Sequence, residues 1–425
     1  MKEDLALFGG PKTINEPLEP YNSIGKEESK AVQKIIDSGL LSKYLGCWDD
    51  DFFGGPKVRE FEKNCADYFG VKHVVTVNSW TSGLVCALGS IDIEPGDEVI
   101  VTPWTMCATA TAILHWNAIP VFVDIDEKTF NIDPKKVEEK VTNRTKAIMA
   151  ADIFGQSCDV KELMQIAEKY QLKLITDSAQ SPGVKHFDKI TGTESHVGGY
   201  SLNYHKHIHT GEGGILITDD DYICEKLQLI RNHGEAVVSD KGTKNITNIL
   251  GHNFRLGELE CAIGIEQLKK LNNFVRSRQD IADSLNNGLS NLRGLTTPKL
   301  MDGNTHAYYI YGMKIDTEYL EVKRENIIKA LEAEGLTGLA NGYANIHLLP
   351  LFQKKIAYGK DGFPWNSNIC SNQISYKKGI CPVAEKLHDE TFIGFEMCLH
   401  KLTKKEVDLI IKSFRKVWDN IIFLR

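Results

Sequence analysis

The chain has 425 residues, of which 42% are hydrophobic and 25% charged, and its formal net charge is −7. That length and balance suit a globular protein of two domains or one large enzyme-sized unit, and the negative charge argues against nucleic acid or an anionic membrane as its main partner. No 18-residue apolar run occurs, the start MKEDLALFGGPKTINEP lacks a leader-like apolar stretch, and none of the ten cysteines forms a CxxC pair. A cytoplasmic protein with reduced thiols and no membrane span is expected.

In chain order, GKEESKAVQKIIDSG has helical spacing, with Val32, Ile35 and Ile36 assigned to one face. The Gly- and Asp-rich GCWDDDFFGGPK reads as an irregular loop, and PKVREFEKNCADYFG as a helix that ends on Gly70. Apolar β-rich runs then alternate with helical ones: HVVTVN and TSGLVCALGSI, DEVIVTP and CATATAILHW, IPVFVDI, KAIMAADIF, KELMQIAEKYQ and LKLITDS. This rhythm predicts a doubly wound, mostly parallel sheet covered on both faces. From Leu256 to Leu292 the pattern turns strongly helical, as a connector into a second unit. THAYYIYGMKI, RENIIKALEAEG and KKEVDLIIKSFRKVWDNI suit a smaller α/β domain. The expected division is 1–270 and 271–425.

Ligands of such a sheet bind at the carboxyl ends of its strands. Asp177 stands there, directly after LKLIT, as a ligand-binding carboxylate or as a helix cap. VNSWTSGLVCAL places Ser79, Thr81 and Ser82 at a strand-to-helix turn, suited to a phosphate or again to capping. GEGGILIT has neither GxGxxG spacing nor a P-loop pattern. In SLNYHKHIHTGEGG, His205, His207 and His209 would share a face if the segment were a strand, which raises a zinc-hydrolase alternative. No HExxH or CxxC pattern accompanies them, and no metal is assigned. Lys206, among those histidines, is a candidate Schiff-base lysine or an ordinary surface lysine.

DSAQSPG, SLNYHKHIHTGEGG and HNFRLGELECAIG together resemble the DegT/DnrJ/EryC1/StrS family of pyridoxal-phosphate (PLP) aminotransferases of sugars and cyclitols. The resemblance runs from LALFGGPK through FFGGPKVREFE, VNSWTSGL, GDEVIVTPWTMCATATAI and FNIDPKKVEEKVTNRTKAI to CPVAEKLH. It implies the fold type I architecture of PLP enzymes and a homodimer with active sites between subunits. It puts the family's cofactor-binding lysine on Lys206, where dehydratase relatives carry histidine. The carboxylate for the pyridine nitrogen falls on Asp177, and Gln180 near the cofactor's phenolic oxygen. The phosphate cradle falls on Ser79, Trp80, Thr81 and Ser201, with Asn253 reaching the partner subunit's phosphate. His205, His207 and Trp104 are expected on the substrate side.

Three departures stand out. Trp80 replaces a common glycine, Met106 a common stacking aromatic, so that either its thioether or nearby Trp104 is expected to supply that contact, and Asp152 a frequent histidine. The implied donor is glutamate or glutamine. The implied acceptor is a nucleotide-linked ketosugar, with a keto-cyclitol or a free or phosphorylated ketosugar as alternative. A PLP-binding regulatory protein and a sugar dehydratase are the remaining alternatives.

Overall fold

A computed structural model of the chain describes residues 4–370 and 374–425. Seven strands form the main sheet: β1 (His73–Val77), β2 (Glu98–Val101), β3 (Ile119–Phe122), β4 (Thr145–Ala151), β5 (Lys173–Asp177), β6 (Val197–Ser201) and β7 (Gly214–Thr218). Their spatial order is β1-β7-β6-β5-β4-β2-β3, and β7 runs antiparallel to both neighbours while the other pairings are parallel. The strands are apolar along almost their whole length because helices cover both faces. Val75, Val77, Val99, Val101 and Ile175 look to one packed core, and Ile100, Ile148 and Leu174 to another on the opposite side.

The helices that matter for the site are α1 (Lys26–Ser38), α2 (Pro56–Phe69), α3 (Trp80–Ser90), α4 (Ala108–His115), α5 (Val160–Tyr170), α6 (Asp221–Arg231) and the long α7 (Glu258–Leu289). α2 begins with Pro56 in its first turn and ends where Gly70 adopts φ +69, the left-handed conformation that glycine enters without a Cβ clash. α1 departs from expectation: Ile35 is buried, but Ile36 is 54% exposed. Ile35 lies two turns beyond buried Glu28, whereas the next residue is rotated by about 100° off that stripe. The GCWDDDFFGGPK loop contains one 3₁₀ turn, Asp50–Phe53. Asp49 caps it, and Phe52 is buried against Leu229 and Val237.

A second, antiparallel sheet is built from β8 (Leu295–Thr296), β9 (Tyr311–Ile315), β10 (Leu339–Asn341) and β11 (Phe392–Phe395), in the order β8-β9-β11-β10. Helices α8 (Arg324–Ala333) and α9 (Lys404–Asp419) pack with it. Position 270 falls inside α7, and the two cores do not divide the chain into two continuous runs. Leu5, Ile14 and Leu18 pack with the small-sheet core, while Phe352, Trp365 and Tyr376 return to the large-sheet core. Among the described residues no helix is long and apolar enough to cross a membrane.

Candidate active site

The carboxyl ends of β1, β4, β5 and β6 open on one cavity, as the topology of a doubly wound sheet requires. Asp177 is the last residue of β5 and is buried. Its Oδ1 accepts from the indole Nε1 of Trp80 at 2.6 Å and from the Ala179 N–H at 3.2 Å, and its Oδ2 accepts from Thr109 Oγ1 at 2.7 Å. No helix starts after Asp177, so the capping alternative falls away. Each carboxylate oxygen has two lone-pair sites, so Oδ2 retains one for a further donor.

Lys206 lies in the turn that follows β6, where its N–H donates to Asn203 O at 2.9 Å, and it is 8% exposed. Burial lowers the pKa of its ammonium to about 8, although the charges of Asp177 and Cys398 act in the opposite direction. Its Nζ sits over the ring of Tyr309. The amine is thus near the point where it titrates at neutral to mildly basic pH, as a nucleophilic lysine requires.

The three histidines diverge because this segment is a turn and not a strand. His205 lines the cavity, and burial together with the neighbouring Lys206 charge lowers its pKa to about 4, so it is a neutral ring there. His207 does not line the cavity. It is buried with Nε2 at 2.8 Å from Ala307 O and 3.7 Å from Cys398 Sγ, beside the site instead of facing an acceptor. His209 accepts from the Gly211 N–H at 3.3 Å. Among the described residues no group of three or more His, Cys, Asp or Glu side chains is arranged to hold a metal.

At the other end of the cavity, Ser79 caps α3, its Oγ accepting from the Ser82 N–H at 3.1 Å. The first N–H groups of that helix have no intrahelical acceptor and carry its positive dipole end. Thr81 and buried Ser201 add hydroxyls beside them. Gly214 keeps β7 against this turn, since a Cβ there would come within 2.9 Å of the Trp80 N and Cα.

Gln180 joins the two halves of the chain. Its Oε1 accepts from the Phe154 N–H at 2.7 Å, and its Nε2 donates to Tyr343 Oη at 3.0 Å. Phe154 adopts φ +58, a left-handed conformation uncommon outside glycine, so this hydrogen bond secures a strained turn. Asp152 also borders the cavity, with its carboxylate held by the Cys158 N–H at 2.8 Å and Ser178 Oγ at 2.6 Å.

Met106 lines the cavity but is 58% exposed, and its sulfur accepts from the Ala108 N–H at 3.0 Å. Trp104 is corrected from a pocket residue to a core one. It is fully buried among Phe154, Tyr343 and Phe392, behind the cavity wall, so neither stacking on a ligand nor touching an acceptor is open to it here. Asn253 is exposed and lies outside this cavity.

Thr109, Tyr309 and Tyr343 were not singled out from the sequence. Thr109 left a faint signal, a hydroxyl in the first turn of the Ala-rich helix α4. The two tyrosines left none, because they arrive from the small-sheet half of the chain.

A buried lysine, a buried carboxylate with a spare lone pair, and a helix N-terminus flanked by hydroxyls are the donor set that PLP needs for its aldehyde, ring nitrogen and phosphate. The residues present fit that group.

Comparison with known proteins agrees with this geometry. Residues 22–394 match the DegT/DnrJ/EryC1/StrS aminotransferase family. The chain is 35% identical to the spore coat polysaccharide biosynthesis protein SpsC of Bacillus subtilis, over 84% of this chain and 91% of that one. It is 35% identical to a GDP-perosamine synthase of Caulobacter vibrioides, over 71% and 81%. It is 28% identical to the L-glutamine:scyllo-inosose aminotransferase of Streptomyces griseus, over 99% of each chain. Among solved structures, an aminotransferase from Psychrobacter cryohalolentis superposes with a TM-score of 0.82 at 27% identity, covering 96% of this chain and all of that one.

Proposed function

Because the chain belongs to the DegT/DnrJ/EryC1/StrS aminotransferase family and is a PLP-dependent transaminase, we propose that it moves an amino group from glutamate or glutamine to the ketone carbon of a nucleotide-linked sugar. The observation that carries this reading is Lys206, a buried amine with its pKa lowered to about 8, in the same cavity as the braced carboxylate of Asp177. A relative named as a GDP-perosamine synthase supports the nucleotide-linked class of acceptor.

PLP, when bound, supplies the electron sink that makes the carbon bearing the amino group acidic. Lys206 holds the cofactor at its aldehyde carbon. As a free neutral amine its Nζ would be the base that removes the proton from the donor's α-carbon, and in its protonated form the acid that delivers one to the acceptor carbon. Asp177 binds the ring nitrogen through its remaining lone pair, and Gln180 lies toward the ring oxygen. The first turn of α3, with Thr81 and Ser201, takes the phosphate, and Asn253 serves the site of a partner subunit in a homodimer. His205, neutral and on the wall, presents a hydrogen-bonding edge to the acceptor, while Met106 covers one side of the opening.

A keto-cyclitol acceptor is the second reading, favoured by the end-to-end match with the scyllo-inosose aminotransferase. The test is the visible spectrum of the purified holoenzyme, with Lys206→Ala in parallel. Glutamate or glutamine should bleach it, and nucleotide-linked ketosugars should restore the colour where keto-cyclitols do not. Recovery with a keto-cyclitol alone selects the second reading. Loss of water from the acceptor without gain of nitrogen would sink both.

A further inference from the structure

Trp80 occupies both ends of the site at once. As the first residue of α3 its backbone forms the helix N-terminus, while its indole runs beneath that helix to the end of β5 and donates to Asp177. The route is specifically cleared. Gly199 pairs with Asp177 across β5 and β6, and a Cβ at Gly199 would meet the Ile215 backbone oxygen of β7 and lie 2.4 Å from the Trp80 ring, so both the sheet and the indole need glycine there. A Cβ at Gly83, one turn along α3, would meet the same ring at 2.7 Å. The contact at Gly83 excludes any larger residue there while the indole stays where it is, and at Gly199 the β7 backbone excludes one in any case. The ring is buried, and its N–H makes one of three hydrogen bonds to the carboxylate, the shortest of them.

We propose that Trp80 is a positioning residue for Asp177: its indole N–H fixes the plane of the carboxylate that faces the pyridine nitrogen of PLP and keeps the shared proton on the ring. Hydrogen bonds to a carboxylate favour its charged form, and in a buried pair that leaves the proton with the nitrogen. Because the same residue begins the phosphate-facing helix, its placement also sets the spacing between the two anchors of the cofactor. The inference rests on Asp177 being the partner of the ring nitrogen.

The experiment uses holoenzyme loaded with PLP carrying ¹⁵N in the ring, and compares wild type with Trp80→Phe, Trp80→His and Asp177→Asn. Phenylalanine removes the donor but keeps an aromatic ring. Histidine restores a donor, because its Nε2 occupies the same place in a five-membered ring as the indole Nε1. Trp80→Phe should move the ring-nitrogen resonance toward its unprotonated position and lower kcat about tenfold, with the donor KM changed by no more than about threefold. Trp80→His should recover both toward wild type.

If Trp80→Phe leaves the resonance and the pH profile unchanged while Asp177→Asn moves them, the indole only fills space and the proposal falls. If Asp177→Asn leaves the resonance in place, the reading of Asp177 fails first and takes this one with it. Should Trp80→Phe not retain PLP, Trp80→His decides: a wild-type resonance upholds the proposal, and one like that of Asp177→Asn overturns it.

Discussion

The Nζ of Lys206 lies 4.1 Å above the ring centroid of Tyr309, a residue on the approach to β9 in the other half of the chain. A cation over an aromatic face is stabilised by the ring quadrupole, so Tyr309 favours the ammonium form that burial disfavours.

Tyr309→Leu should therefore lower the Lys206 pKa further, whereas Tyr309→Phe, which keeps the ring, should not. The contact is worth about 0.5–2 kcal/mol, or roughly half a pH unit to one and a half. The rate of PLP capture by apoenzyme, which needs the neutral amine, checks this. Its midpoint pH should fall in Tyr309→Leu and stay at the wild-type value in Tyr309→Phe.

Lys206 itself should limit the stability of the apoenzyme. With a folded-state pKa of about 8 against an ordinary value of 10.5, the folded state sheds its proton first as pH rises. Below pH 8 both states are charged and burial carries the full penalty. Between pH 8 and 10.5 the unfolded state binds more protons, so stability grows with pH. Apo Lys206→Met should exceed wild type by on the order of 3 kcal/mol at pH 7. Urea unfolding of the two apoenzymes should show that gap closing toward pH 10.

Gln180→Ala should cost more than Tyr343→Phe. The first leaves both the Phe154 N–H and the Tyr343 hydroxyl without their partner, while the second removes a single acceptor from Gln180. The expected losses are about 2–3 and about 1 kcal/mol, readable in denaturant midpoints at constant m. Equal losses would show that the Phe154 turn stands without this hydrogen bond.

Glu28 should make acid stability depend on α1. Burial pushes its carboxyl up, but Lys270 at 2.6 Å, Gln267 at 2.7 Å and the Gly25 N–H at 2.7 Å outweigh that and hold the pKa at about 2. The folded value lies below the unfolded one, so the contribution is complete above about pH 4.5 and is lost as pH falls toward 2. Glu28→Gln should destabilise by about 2 kcal/mol at pH 7, with the difference shrinking below pH 4.5.

Part of this was readable locally. Strand–helix alternation places Asp177 at a carboxyl strand end, because a period of 2 or 3.6 residues is written in consecutive side chains, whereas Lys206 was set apart from a surface lysine only by the family resemblance. Even there, neighbouring residues misled. The Ile35–Ile36 pair straddles the edge of the α1 stripe, and the three histidines would share a face only in a strand that residues 203–209 do not form.

By itself, then, the sequence determined the order of the elements and the family, and through the family it pointed to Lys206 and Asp177. Only the tertiary structure decided what surrounds them. Tyr309 lies under Lys206, Tyr343 meets Gln180, the Trp80 indole binds Asp177, and Trp104 and His207 turn away from the cavity. These outcomes depend on which sequence-distant surfaces meet and on where Gly83 and Gly199 leave space for a ring, and no period along the chain encodes a packing contact of that kind.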